Sequence, residues 1–162
     1  MITNVLLAHR WISPLALTLF VFLGPPLGAW LIKRPRLAEL LAVLALIPVG
    51  IVTLVPVKRE LYWRCEVAWT FPTFDRAELA ANVVLFIAPV LLATVALRRP
   101  LLALAAGSLL SLAIETFQAL VPALGRSCST NDWMTNTIGA AIGALLGWVA
   151  LTWAGRRRAV PQ

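Results

Sequence analysis

The chain has 162 residues, of which 60% are hydrophobic and only 13% carry a charge. A soluble domain of this length cannot bury so much apolar surface in one core, so the composition predicts a single membrane-embedded domain over residues 1–162. The formal net charge of +7 does not indicate nucleic-acid binding, because cationic residues of membrane proteins accumulate in cytoplasmic loops. The bilayer and its lipids are therefore the first expected partners.

Five segments are long and apolar enough to cross a bilayer, which requires about 20 helical residues. Within the first of them, Pro25 and Pro26 would kink or break the helix. A cleaved signal peptide is the alternative for this segment, but no clear small-x-small cleavage site follows it. The sequence thus predicts an all-α bundle with spans at roughly 11–32, 37–57, 80–97, 100–122 and 133–154.

The charged residues are divided unequally between the two ends of this bundle. The loops after the first and third spans and the C-terminal tail carry eight cations and one anion, whereas the opposite end carries six of each. The positive-inside rule then places the C-terminus in the cytoplasm and the N-terminus outside. The loops at 58–79 and 123–132 would face the exterior of a bacterial plasma membrane.

Both cysteines, Cys65 and Cys128, fall in the two loops assigned to the exterior. An oxidising compartment favours a disulfide between them, which would hold the two loops together; two unrelated thiols are the alternative. Together with the single His9 they do not provide a zinc ligand set. The sequence predicts no metal site and no cofactor.

Several polar residues lie inside the predicted spans, where ionisable side chains are costly and usually functional. Glu115 lies about seven residues, or roughly 10 Å, below the outer end of the fourth span, and Gln118 shares its face. Asp132 and Asn136 are four residues apart at the start of the fifth span and also share a face. Asp132 has a simpler alternative role as a helix cap.

The fifth span continues with Gly139, Gly143 and Gly147, and such small residues allow another helix to approach closely. The predicted partner is the fourth span, which would bring its polar face near Asn136. With Arg126 in the loop above, these residues would form a polar pocket open to the outside. The alternative is that they only link the helices by satisfying one another.

A second polar patch precedes and enters the third span. Asp75 and Asn82 are seven residues apart, which places them on one helical face. A lone amide inside a membrane span is unfavourable without a partner. Asn82 is therefore either part of the pocket or hydrogen-bonded to a neighbouring helix.

The spacing of these residues resembles that of the VanZ-like membrane proteins. The matching pattern is E-x-x-Q at 115–118, an arginine at 126 and D-x-x-x-N-x-x-G-x-x-x-G at 132–143. The stretches "NVVLFIAP" (82–89) and "TLVP" (53–56) resemble two shorter motifs of that family, although Pro89 follows Phe86 by three residues instead of two. The founding member is associated with resistance to the glycopeptide teicoplanin. The resemblance implies that the functional residues are Glu115, Gln118, Arg126, Asp132 and Asn136.

Three functions fit this reading of the sequence. The first is a pocket that engages a cell-envelope lipid or a lipoglycopeptide and changes sensitivity to teicoplanin. The second is an enzyme or flippase for a polyprenyl-linked envelope precursor, with Glu115 as proton donor or acceptor; no second deep carboxylate, nucleophile or inverted repeat supports it. The third is a structural membrane subunit. The exposed small residues leave homo-oligomerisation open.

Overall fold

The computed structural model describes residues 11–57, 65–73 and 76–158. Some predictions lie outside the described part, namely those for His9 and Asp75 and, from the charge count, those for Arg10, Lys58, Arg59, Glu60 and Arg64. The helices are α1 (Ile12–Leu31), α2 (Pro35–Leu44), α3 (Leu46–Leu54), α4 (Ala77–Leu97), α5 (Pro100–Leu120) and α6 (Thr130–Arg158), and a 3₁₀ turn covers Pro122–Leu124.

Five stretches of helix are long and apolar enough to cross a membrane, and they correspond to α1, α2 together with α3, α4, α5 and α6. The prediction of an all-α bundle with five spans is confirmed. The observed boundaries differ by a few residues, most at α6, which begins at Thr130 and continues to Arg158. The orientation of the bundle across the membrane stays a prediction.

Prolines affect the first two spans differently. The second span is divided at Ala45, between α2 and α3. Pro48 has no N–H with which to bond the carbonyl group of Leu44, so the regular hydrogen-bond ladder cannot continue there. In contrast, α1 continues through Pro25 and Pro26, and the break expected at this pair does not occur.

The centre of the bundle is the contact between α4 and α6, along the three glycines of α6. A Cβ atom added at Gly143 would lie 2.5 Å from the carbonyl oxygen of Ile87, and one added at Gly147 would lie 2.6 Å from the Cβ of Thr94. A Cβ at Gly139 would overlap the carbonyl group of Val83. Backbone and side chains of α4 therefore occupy the space that any other residue would need.

The prediction that these glycines face the fourth span is wrong, because their partner is α4, the third span. The fourth span, α5, packs on a neighbouring face of α6 that also carries small residues. There, a Cβ added at Gly107 would come within 3.1 Å of the Cβ of Ala140. Since α6 has small residues on adjacent faces, their spacing does not determine which helix packs on which face.

The remaining spans pack around this pair. In α1, Gly28 approaches both α6 and α4, since an added Cβ would lie 2.8 Å from the Cβ of Ala150 and 3.2 Å from a methyl group of Val95. At the same end, the guanidinium group of Arg98 donates to the carbonyl oxygen of Ile32 at 3.4 Å. We call this the cationic end, since it carries Lys33, Arg34, Arg36, Arg98, Arg99 and Arg156, and we call the opposite one the polar end.

The glycine contact makes a direct prediction for stability. We expect Gly143→Ala to lower the free energy of unfolding by about 1–3 kcal/mol, because the added methyl group would force α6 away from α4. The melting temperature of the purified protein in detergent measures the effect.

Gly50→Ala is the matched control, because an added Cβ at Gly50 has no atom within 4 Å. Alanine is also the better helix former by about 1 kcal/mol. A melting temperature that is the same in both variants would contradict the close packing.

Candidate functional site

The two connecting segments of the polar end are joined covalently and through their backbones. Cys65 and Cys128 form a disulfide, with their Cα atoms 4.7 Å apart. Beside it, the N–H of Glu66 donates to the carbonyl oxygen of Cys128 at 2.9 Å, and the N–H of Thr130 donates to that of Glu66 at 3.0 Å. Segment 65–73 is thereby fixed to the residues that lead into α6.

Side chains at the start of α6 extend this connection along segment 65–73. The N–H of Ala68 donates to Oγ1 of Thr130 at 3.0 Å, and the N–H of Thr70 donates to Oδ1 of Asn131 at 2.8 Å. Val67 and Phe71 are exposed. The Trp69 ring is also exposed, but it lies edge-to-face with Trp133 of α6, with the ring centroids 6.3 Å apart. The segment is therefore bonded to α6 along its backbone and exposes apolar side chains.

The N-terminus of α6 lies below the rim that its neighbours form. The N–H of Ser129, just before α6, donates to Oε2 of Glu115 at 2.8 Å, and α5 continues for five residues beyond Glu115. Similarly, Asn82 bonds to the first turn of α6 five residues after the start of α4. Five helical residues correspond to about 7.5 Å. The contacts at the start of α6 therefore lie about 7.5 Å deeper in the bundle than the neighbouring ends of α4 and α5.

A group of polar side chains lies between α4, α5 and α6, at this depth and one helical turn below it, and we call it the inner cluster. The Nδ2 of Asn82 donates to Oδ1 of Asp132 at 2.9 Å, and the Nδ2 of Asn136 donates to Oγ of Ser111 at 2.9 Å. The Glu115 carboxyl is buried and lies close enough to Asp132 for their charges to interact. The inner cluster comprises Asn82, Ser111, Glu115, Asp132 and Asn136.

The amide group of Asn136 is only partly satisfied. It is 2% exposed, and its Oδ1 atom has no hydrogen-bond partner among the residues that the structure describes. If the amide were turned over, Ser111 would bond to the oxygen and the nitrogen would lack a partner instead. A buried polar atom without a partner costs about 1–3 kcal/mol, so its presence requires an explanation.

Gln118 and Arg126 both contact the second span. The Nε2 of Gln118 donates to the carbonyl oxygen of Thr53 at 2.9 Å, and the Nε of Arg126 donates to that of Val55 at 3.1 Å. These two carbonyl groups lie at the end of α3 and just after it, where no further helical turn uses them. Gln118 thus caps the end of α3, and its expected proximity to Asn136 stays a prediction.

Sequence reasoning missed the hydroxyl groups that accompany the inner cluster. Ser108 and Ser111 precede Glu115 by seven and four residues, so they lie on its helical face, and Ser108 shares a 3.0 Å hydrogen bond with Thr137 of α6. Their spacing from Glu115 could have identified both serines from the sequence alone. The contact of Ser129 with Glu115 had no such signal, because a loop residue follows no helical period.

Comparison with known proteins identifies a family. A family profile described as VanZ/LLP1 matches residues 11–151, which include the first four spans, most of the fifth and the residues of the inner cluster. The chain belongs to the VanZ/LLP1 family. The comparisons found no matching curated protein and no matching solved structure. Within the described ranges, no group of three or more His, Cys, Asp or Glu side chains could hold a metal ion.

The disulfide predicts a redox dependence of stability. Replacing both cysteines, Cys65→Ser with Cys128→Ser, is expected to lower the free energy of unfolding by about 4 kcal/mol, the loop-closure value for residues 63 positions apart. Melting temperatures with and without a reductant measure it. The double variant should not respond to the reductant, whereas equal melting of both proteins without reductant would contradict the prediction.

Proposed function

We propose that this VanZ/LLP1 family protein lies in the bacterial plasma membrane and binds the polar part of a cell-envelope lipid or a lipoglycopeptide at its polar end, thereby changing sensitivity to teicoplanin. The observation that carries the proposal is the unpaired amide atom of Asn136, which is buried against Ser111, one helical turn from Glu115 on α5. Structural linkage alone would favour a fully paired group, because unpaired polar atoms inside a membrane are costly. A bound ligand offers the missing partner.

The residues of the polar end have complementary roles in this proposal. Arg126 pairs with a phosphate or carboxylate group of the ligand, since guanidinium groups form strong charge-assisted hydrogen bonds with both. Its bond to the Val55 carbonyl keeps the side chain over the end of α3. Asp132 and Asn136 orient the bound group. The close packing of α4 on α6 determines the distance between Asn82 on α4 and Asp132 on α6.

The second candidate is a membrane enzyme or flippase for a polyprenyl-linked envelope precursor. The observation that favours it is the burial of Glu115, which is 5% exposed. A buried carboxyl that exchanges a proton would serve either reaction. The third candidate, a structural subunit, requires only that the polar groups satisfy one another.

Orientation is a separate part of the proposal and has its own test. With the polar end outside, a cysteine introduced at the exposed position Ala123 (Ala123→Cys) should react with a membrane-impermeant maleimide in intact cells. Arg36→Cys, at an exposed position of the cationic end, should react only after permeabilisation. The reverse labelling pattern would place the polar end in the cytoplasm and contradict the proposal.

The functional test is sensitivity to teicoplanin, with vancomycin as the control antibiotic, in a susceptible host that expresses the protein. We expect the wild type to protect and Arg126→Ala to lose most of the protection. A charge-assisted hydrogen bond contributes about 1.5–3 kcal/mol, which corresponds to a loss of affinity of about tenfold or more.

Glu115→Gln separates the structural candidate from the other two, because glutamine still accepts the Ser129 N–H but carries no charge and exchanges no proton. The binding and proton-transfer candidates both predict lost protection, whereas the structural one predicts no change. Arg36→Ala and Glu39→Gln, made at exposed positions of the cationic end, are the controls at matched membrane levels. A wild type without protection, or variants that protect fully, would refute the resistance role.

A further inference from the structure

A cavity of about 190 Å³ lies beside the inner cluster, between α1, α3 and α4. Its walls are formed by Ile12 and Ala16 of α1, by Val52 of α3 and by Ala81 and Leu85 of α4, with Ser13 and Asn82 as its polar members. All three helices belong to membrane spans. The cavity is therefore an apolar space at the polar end of the bundle, inside the region that a bilayer surrounds.

The chemistry of its walls favours a hydrocarbon occupant over water. A water molecule occupies about 30 Å³ of liquid and needs two to four polar partners. A space of this volume would hold several waters, but among the described residues the side chains that line it offer only the hydroxyl group of Ser13 and the amide group of Asn82. The bilayer around the helices supplies hydrocarbon chains directly, and such a chain needs no polar partner.

Asn82 connects this cavity to the polar groups of the site. The residue lines the cavity, and its Nδ2 atom donates to Oδ1 of Asp132 in the inner cluster at 2.9 Å. The apolar space and the polar site thus share one side chain. A molecule with a hydrocarbon chain and a polar head would find both chemistries on adjacent sides of Asn82.

We infer that this cavity binds one hydrocarbon chain of a membrane lipid whose polar head meets the inner cluster. The part of the inference that concerns the head rests on the proposed function. The part that concerns the chain rests on the cavity and its walls. The ligand is an acyl or prenyl lipid of the bilayer. The apolar walls and the limited volume of the cavity select its hydrocarbon chain.

The test uses the full chain in vesicles of phosphatidylethanolamine and phosphatidylglycerol that contain a trace of a phospholipid with a diazirine group on one acyl chain. After illumination, mass spectrometry maps the cross-linked residues. We expect cross-links to residues 12–16 and 81–85 in the wild type. Ala81→Phe, which fills the cavity, should reduce them about tenfold, a factor that corresponds to ~1.4 kcal/mol in binding free energy.

Ala113→Phe is the matched control, because it makes the same change at an exposed position of α5, and it should leave these cross-links unchanged. Cross-links to the exposed residues Leu101 and Leu109 provide the reference for simple contact with the bilayer. Melting temperatures verify that each variant is folded, and Ala16→Leu replaces Ala81→Phe if that variant is not.

Cross-linking of the two segments that is no stronger than at Leu109, or that persists in the filled variant, would overturn the inference. This result is independent of the antibiotic assay. Specific cross-links without any protection against teicoplanin would support the chain site and refute the proposed resistance role. Protection without specific cross-links would refute the chain site alone.

Discussion

The close packing of α6 against α4 is the interaction on which the other parts of the structure depend. Three glycines of α6 bring its backbone against the carbonyl groups of Val83 and Ile87, at distances that no side chain would allow. In a bilayer, where apolar side chains gain little by leaving the lipid, such close contact is a main source of helix association. The pair then offers two further faces, one for α1 and one for α5.

This packing also determines the depth of the polar groups. Since α6 is held at a fixed level against α4, its first turn lies about 7.5 Å below the rim and meets Asn82 and Glu115. Backbone groups at such depth require internal partners. Segment 65–73 supplies partners through the backbone hydrogen bonds of Glu66, and the disulfide between Cys65 and Cys128 holds the segment in place.

The polar end thus combines two connecting segments joined by a disulfide, the buried carboxyl group of Glu115 and the incompletely paired amide group of Asn136. Gln118 and Arg126 both bond to carbonyl groups at the end of the second span and thereby hold it near α5. The cavity beside Asn82 adds an apolar space next to the polar groups. A lipid or lipid-like ligand is the class of molecule that matches both.

The sequence by itself determined the five spans, the all-α class, the family and the helical faces on which Glu115, Gln118, Asp132 and Asn136 lie. These follow from length, hydropathy and a spacing of three or four residues, all of which are local properties of a helix. The partner of each face was decided only by the tertiary structure. Gly139 meets α4 and not α5, Gln118 bonds to Thr53 of the second span, and Ser129 reaches Glu115 from a loop. The physical reason is that a periodic pattern defines the direction of a side chain relative to its own helix. What that side chain meets depends on how all the helices pack together.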